Sequence, residues 1–242
     1  MSSQFHAPVP LTKLYFAYGD NLWLEQMAKR CPDSVYIGRA VLQDHYWHIN
    51  RRGVAMIAPR SGFTVHGLVY EITDHDETRL DRSGHVHGAY SKAYKRVNLY
   101  EASEALQMNT RWMVKDGGPK KVIKIAQHLS TPTSEWREYG TADVIVYFSE
   151  SFVRYGQARD DYIDQMNCGI RDAISLGVPA AYFKHAVRTW IPKRETLHNS
   201  SQRWNRHTPA NSYPLVLSTT RPFRSMDTLT AADRRKKPIN AM

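Results

Sequence analysis

Apolar positions along this chain switch between a two-residue and a helical period. LYFAY (residues 14–18) is a short run of strand-forming residues that meets Gly19-Asp20-Asn21, a cluster that turns a chain and starts a helix. LWLEQMAKRC then reads as a helix stopped by Pro32. VYIGRAVL, HYWHIN, GVAMIAP and FTVHGLVYEI read as extended segments. TDHDETRLD predicts one short helix, because Asp74 and Glu77 stand at capping-box spacing. AYSKAYKRVNLY returns to strand, and ADVIVYF has the apolar density of a buried one.

The intervening residues 103–142 are less regular, with DGGPKK and STPTSE expected as loops. After Asp160, the residues Ile163, Met166, Ile170 and Ala173 recur at helical spacing, and Gly177 is placed to end that helix. Pro179 opens a further helix expected to reach Trp190 and stop at Pro192. There is no internal repeat. Strands early and helices late predict an α+β domain built on a curled mixed sheet.

Composition adds boundaries. At 242 residues the chain supports one sizeable core, so we expect one domain (1–192) and a C-terminal extension (193–242). Of the net charge of +10, +7 belongs to residues 193–242, which hold the run Arg234-Arg235-Lys236-Lys237. Such a run reads as a solvated terminus. No aromatic-rich groove motif or zinc spacing accompanies it, so nucleic acid is not an expected partner. A tail that binds acidic partners, with the domain as scaffold, remains an alternative. The polar, basic sequence beyond Arg221 predicts disorder, since it has little to bury. Cys31 and Cys168 lack metal-ligand or disulfide spacing, which points to a reduced setting. The first residues lack a signal-peptide apolar stretch, and no apolar run approaches the roughly 20 residues that span a bilayer. A cytoplasmic protein without a membrane partner is expected; nothing in the pattern specifies an oligomeric state.

The chemistry starts at the Gly turn. A strand that runs into a turn and a helix start presents several backbone N–H donors together, which suits an anion or oxyanion as well as a plain connection. YFAYGDNL resembles the YFAYGSNL signature of the γ-glutamylcyclotransferase family. The likeness continues in order through GRAVLQDH, GVAMIAP, VHGLVYEI and DDYIDQMNCGIRDAISLGVPAAY, over residues 14–192 with 103–142 poorly matched. Fungal members look most similar, some of them resembling accessory enzymes of specialised-metabolite pathways. The resemblance implies a small β-barrel-like fold with flanking helices and a cavity beside the turn.

It also implies a reaction. The α-amine of a γ-glutamyl amide attacks its own γ-carbonyl, giving 5-oxoproline and a released amine, with no cofactor. Such a site needs an acid/base, N–H donors for the oxyanion, and a pocket that folds the substrate for ring closure. Carried over, Tyr15, Phe16, Ala17, Tyr18, Gly19, Asp20 and Asn21 would line a small-molecule substrate, with Gly19, Asp20 and Asn21 nearest its carbonyl. Tyr90 and Tyr162 match pocket tyrosines, although Tyr162, at helical spacing with Met166, serves equally as core.

One part is missing. The family's acid/base is a glutamate in a stretch resembling L-D-x-x-E-G-V, and here that stretch is Leu80-Asp81-Arg82-Ser83-Gly84-His85-Val86. Gly84 stands where the glutamate should be, or the glutamate is deleted and His85 inserted; either way the stretch reads as a turn that has lost its catalyst. His85, with an ordinary pKa of about 6.5, and Asp20, a serine in the family, are the candidate replacements. Asp20 could instead cap a helix, and its charge would repel a substrate carboxylate. His85 and His87 are two residues apart, but His66, His75 and Asp81 are too scattered to complete a ligand set, so no metal is expected. A non-catalytic binder that keeps the pocket is the second reading.

Overall fold

Five strands close on themselves. They are β1 (Lys13–Ala17), β2 (Val35–Ile49), β3 (Ala55–Ile72), β4 (Ser91–Glu101) and β5 (Gly140–Phe148). In this computed structural model, which describes residues 13–84, 90–129, 140–149 and 154–194, they form a closed barrel in the order β1-β3-β2-β4-β5. Antiparallel ladders join all neighbours except β1 and β5, which run parallel and meet at Tyr15 and Ile145. Closure removes the exposed edges that a five-stranded open sheet would leave.

The sequence pattern splits β2 and β3 into two segments each, whereas the backbone runs through both. The ladder shifts register between Gln43 and His45, Asp44 adopts φ 54°, and Pro59 lies opposite His45. A bulge absorbs the residue that breaks the alternation, and Pro59, which has no N–H to offer the ladder, sits beside it.

The helices are α1 (Leu24–Arg30), α2 (Asp74–Gly84), α3 (Thr110–Lys115), α4 (Pro119–Leu129), α5 (Asp160–Ser175) and the short α6 (Ala180–Tyr182), which passes into a π turn over Phe183–Val187. A 3₁₀ turn, Asp20–Leu22, precedes α1. Several expectations need correcting. The region 103–142 contains α3 and α4: Asn109 caps α3 by accepting from the Arg111 N–H at 3.0 Å, and Pro119 opens α4, so DGGPKK is only partly loop. The capping pair of α2 is Thr73 and Asp76, one residue earlier than the expected pair. Thr73 Oγ1 accepts from the Asp76 N–H at 3.1 Å, and Asp76 Oδ2 accepts from the Thr73 N–H at 3.5 Å. The stretch Arg79–Gly84 belongs to that helix, not to a turn. The last helix is shorter than expected, since regular turns end at Val187 rather than Trp190. STPTSE, His85, His87 and the tail beyond Arg194 lie outside the described residues.

Helix α5 positions the functional region. Tyr162, Ile163, Met166, Ile170 and Ala173 form its buried stripe. It ends as its sequence requires: Gly177 takes φ 86°, its N–H reaches the Ile174 carbonyl, and the Val178 N–H reaches that of Ala173. On the stripe, Gly169 lets the 3₁₀ turn come close, because a Cβ there would lie 2.9 Å from Leu22 Cβ and from the Trp23 nitrogen. Asp172 then accepts from the Leu24 N–H at 3.1 Å, capping α1 from another helix. Burial pushes the Asp172 carboxyl up to about 6. Among the described residues no helix is long and apolar enough to cross a membrane.

Candidate active site

The end of β1, the 3₁₀ turn, α2 and α5 surround a cavity of about 310 Å³. Tyr15, Tyr18, Gly19, Asp20 and Asn21 form one wall, and Arg30 of α1 stands behind them. Tyr162 and Gln165 of α5 face them, together with Arg159 just before that helix. Arg52 and Val54 come from the β2–β3 connection, Ala55 from the start of β3, and Leu80 and Ser83 from α2. Tyr90 and Tyr147 complete the lining.

The strand–turn–helix segment is fixed by a polar chain. Arg30 Nη2 lies 2.7 Å from Asp20 Oδ2, and Arg30 Nη1 donates to Asn21 Oδ1 at 2.7 Å. Asn21 Nδ2 donates to the Tyr15 hydroxyl at 2.8 Å, and Gln26 reaches Asp20 at 3.4 Å. Burial alone would discourage the charge on Arg30, but the Asp20 carboxylate overcomes it and raises the pKa. Asp20 is therefore neither a helix cap nor an unopposed negative charge. It makes no side-chain capping bond, and Arg30 cancels the repulsion that the sequence suggested. Tyr162 lies over the turn so closely that a Cβ on Gly19 would fall 2.9 Å from its hydroxyl.

Three guanidinium groups line the cavity against one carboxylate. Arg30 is matched by Asp20, and Arg159 reaches the exposed Asp161 at 3.2 Å. Arg52 lies 5.7 Å from the Tyr90 ring centre. The lining itself thus holds more guanidinium than carboxylate groups. Burial raises the pKa values of the Tyr15, Tyr18 and Tyr162 phenols, so these remain protonated near neutrality.

Helix α2 is held over the barrel by ion pairs. Lys13 of β1 bridges Asp74 at 2.7 Å and Glu77 at 2.6 Å, while Lys92 of β4 bridges Glu77 at 2.6 Å and Asp81 at 2.8 Å. Each pair alone is worth little at a partly exposed site, but together they set where the helix ends. Leu80 and Ser83 put one face of α2 on the cavity, and the helix ends at Gly84. On the other oxygen of Asp81, the Tyr147 hydroxyl donates at 2.6 Å.

Seven of the residues singled out from sequence therefore lie around one cavity: Tyr15, Tyr18, Gly19, Asp20, Asn21, Tyr90 and Tyr162. Phe16 and Ala17 do not line it. Both are fully buried in the core, packed where Gly67 leaves room for them. Tyr162 serves as core and as cavity wall together, at 3% exposure. His85 lies outside the described residues. His66 packs against Tyr182 with ring centres 4.6 Å apart, and among the described residues His75 groups with Asp33 and Asp76 rather than with Asp81. Sequence reasoning missed Arg30, Arg52, Arg159 and Tyr147, and weighed Asp81, in the Leu80–Val86 stretch, only as a metal ligand. The other four sit in no recognisable motif, and the apolar run of β5 does not say which side chain meets a cavity.

The family model described as gamma-glutamyl cyclotransferase, AIG2-like, matches residues 15–138. Two solved structures share the fold. One, an uncharacterized Homo sapiens protein, loc79017, is 18% identical with a TM-score of 0.51, covering 79% of this chain and 94% of its own. The other, described as gamma-glutamyl cyclotransferase, is 19% identical with a TM-score of 0.51 over the same shares, 79% and 94%. No curated protein gives a significant match.

Proposed function

This chain belongs to the AIG2-like gamma-glutamyl cyclotransferase family, and we propose that it is a cytoplasmic enzyme that cyclises a γ-glutamyl or closely related amide. The observation that carries the reading is the cavity itself, where the Tyr18–Asn21 turn faces Tyr162 under an excess of guanidinium charge. A γ-glutamyl group brings a carboxylate for that charge. Its α-amine must fold back on its γ-carbonyl, which the enclosing tyrosines favour by limiting extended conformers. The backbone N–H groups of Gly19, Asp20 and Asn21 are the donors available to a developing oxyanion. The amine leaves, and 5-oxoproline remains.

The test is incubation of purified protein with γ-glutamyl-alanine, glutathione and ε-(γ-glutamyl)-lysine, followed by mass spectrometry for 5-oxoproline. Time-dependent 5-oxoproline from at least one substrate supports the reading, and its absence from all three refutes it. A second reading is favoured by the sequence: the stretch Leu80–Val86, which resembles the family's L-D-x-x-E-G-V, contains no glutamate. A protein that binds these ligands by calorimetry and releases no product would be a binder that has kept the pocket and given up the chemistry.

A further inference from the structure

Within the cyclotransferase reading, on which the following rests, a group must still move protons. We propose that Tyr147 is the catalytic acid/base of this cavity, acting as a proton relay to Asp81 in place of the carboxylate missing at position 84. Tyr147, on β5, lines the cavity, and its hydroxyl donates to Asp81 Oδ1 at 2.6 Å. Asp81 sits one helical turn before Gly84 on α2, so the helix still delivers a carboxylate to this end of the barrel, one phenol behind the cavity wall. Its other oxygen is held by Lys92 at 2.8 Å. Tyr147 is held as firmly: the Tyr18 hydroxyl donates to its carbonyl, and the Tyr15 ring meets it edge-on at 5.8 Å.

The other candidates are otherwise engaged. Asp20 is paired with Arg30, the Tyr15 hydroxyl takes the Asn21 amide, and the Tyr162 hydroxyl takes a hydrogen bond from the Ala55 backbone. What distinguishes Tyr147 is a hydroxyl that already donates to a carboxylate, Asp81 Oδ1, at 2.6 Å. Burial, and then the bond to Asp81, raises the Tyr147 pKa, so a free phenolate is not the base. A relay needs none. As the phenol oxygen takes a proton from the substrate's α-nitrogen, its own proton passes to Asp81, and the phenol stays neutral throughout.

The step balances. The α-nitrogen forms a bond to the γ-carbon, and the bond from that carbon to the amide nitrogen breaks. In becoming a lactam N–H the former ammonium loses two protons; the leaving nitrogen gains two and departs as an ammonium. Tyr147 and Asp81 carry one of these from nitrogen to nitrogen, with Asp81 protonated between the two transfers, and the other exchanges through water.

The experiment compares wild type, Tyr147→Phe, Asp81→Asn, Asp81→Glu and the Tyr147→Phe/Asp81→Asn double variant on γ-glutamyl-alanine, with thermal melts on each. Expected is a kcat lower by about 10²–10⁴-fold in Tyr147→Phe and in Asp81→Asn, the range of a lost acid/base, with KM within about threefold. The double variant should be no worse than either single one, as for groups that act as a unit. The acid limb of the wild-type kcat/KM pH profile should vanish in Asp81→Asn and return in Asp81→Glu, which a merely structural role would not produce. Should Asp81→Asn fail to fold, Tyr147→Phe and Asp81→Glu decide. A wild type active on the substrate with Tyr147→Phe and Asp81→Asn retaining kcat within about threefold overturns the relay and leaves the cyclotransferase reading intact. A wild type inert on every γ-glutamyl substrate overturns that reading, and the relay with it.

Discussion

Replacing His48 with phenylalanine should remove much of the acid sensitivity of this fold. His48 lies on β2 with no exposed surface, and among the described residues neither ring nitrogen has a hydrogen-bond partner. Its ring stacks on Tyr46 at 5.0 Å and meets Tyr155 edge-on at 5.2 Å and Trp190 at 6.4 Å. Burial therefore pushes its pKa down from 6.5 to about 4. The unfolded chain takes up a proton near 6.5, the folded one only near 4. Stability from this group is thus complete above 6.5 and is lost as pH falls toward 4. Between pH 7.5 and 4.5 the two values give a loss of about 2.5 kcal/mol. His66, lowered to about 4 by burial and then by Arg39, acts in the same direction, while Asp172, raised to about 6, acts in the opposite one. Only the difference between wild type and variant isolates His48. Urea unfolding at both pH values should show His48→Phe gaining about 2–3 kcal/mol on wild type at pH 4.5 relative to pH 7.5. At pH 7.5 the variant should be no less stable, because two unsatisfied polar atoms have gone. Parallel pH profiles for the two proteins would refute the reasoning, since they would mean that the folded state protonates His48 as easily as the unfolded chain does.

Two further outcomes follow from the packing and from the missing carboxylate. Gly169→Ala should destabilise the protein by about 1–3 kcal/mol and raise KM in the assay above, because its Cβ must push Leu22 and Trp23, and the Asp20–Leu22 turn with them, away from α5; an unchanged melting temperature and KM would argue against that coupling. Gly84→Glu with His85→Gly, which rebuilds the family's Glu-Gly-Val, should raise 5-oxoproline release, most clearly in a Tyr147→Phe background; a folded variant showing no gain in either background would mean that the cavity no longer holds a γ-glutamyl group for attack.

The sequence alone was enough for the barrel strands, the Gly turn and the late amphipathic helix. Each is announced by information within a few residues: LYFAY before Gly19, the apolar density of ADVIVYF, the helical spacing from Ile163 to Ala173 closed by Gly177. It also showed that the stretch Leu80–Val86 resembles the family's L-D-x-x-E-G-V without its glutamate. What local pattern could not convey is partnership at long range. Asp20 looks like a cap until Arg30 is seen 2.7 Å away, and Asp172 looks like an ordinary helix-face carboxylate until it is seen to cap α1 from 148 residues along the chain. Asp81 and Tyr147, 66 residues apart, carry no shared signature; only the closing of β5 against β4 and the seating of α2 by Lys13 and Lys92 bring them to 2.6 Å. Periodicity fixes which side of an element is buried. Which carboxylate meets which cation or phenol is decided by barrel closure, since a hydrogen bond depends on distances of a few tenths of an ångström that no spacing in the sequence encodes.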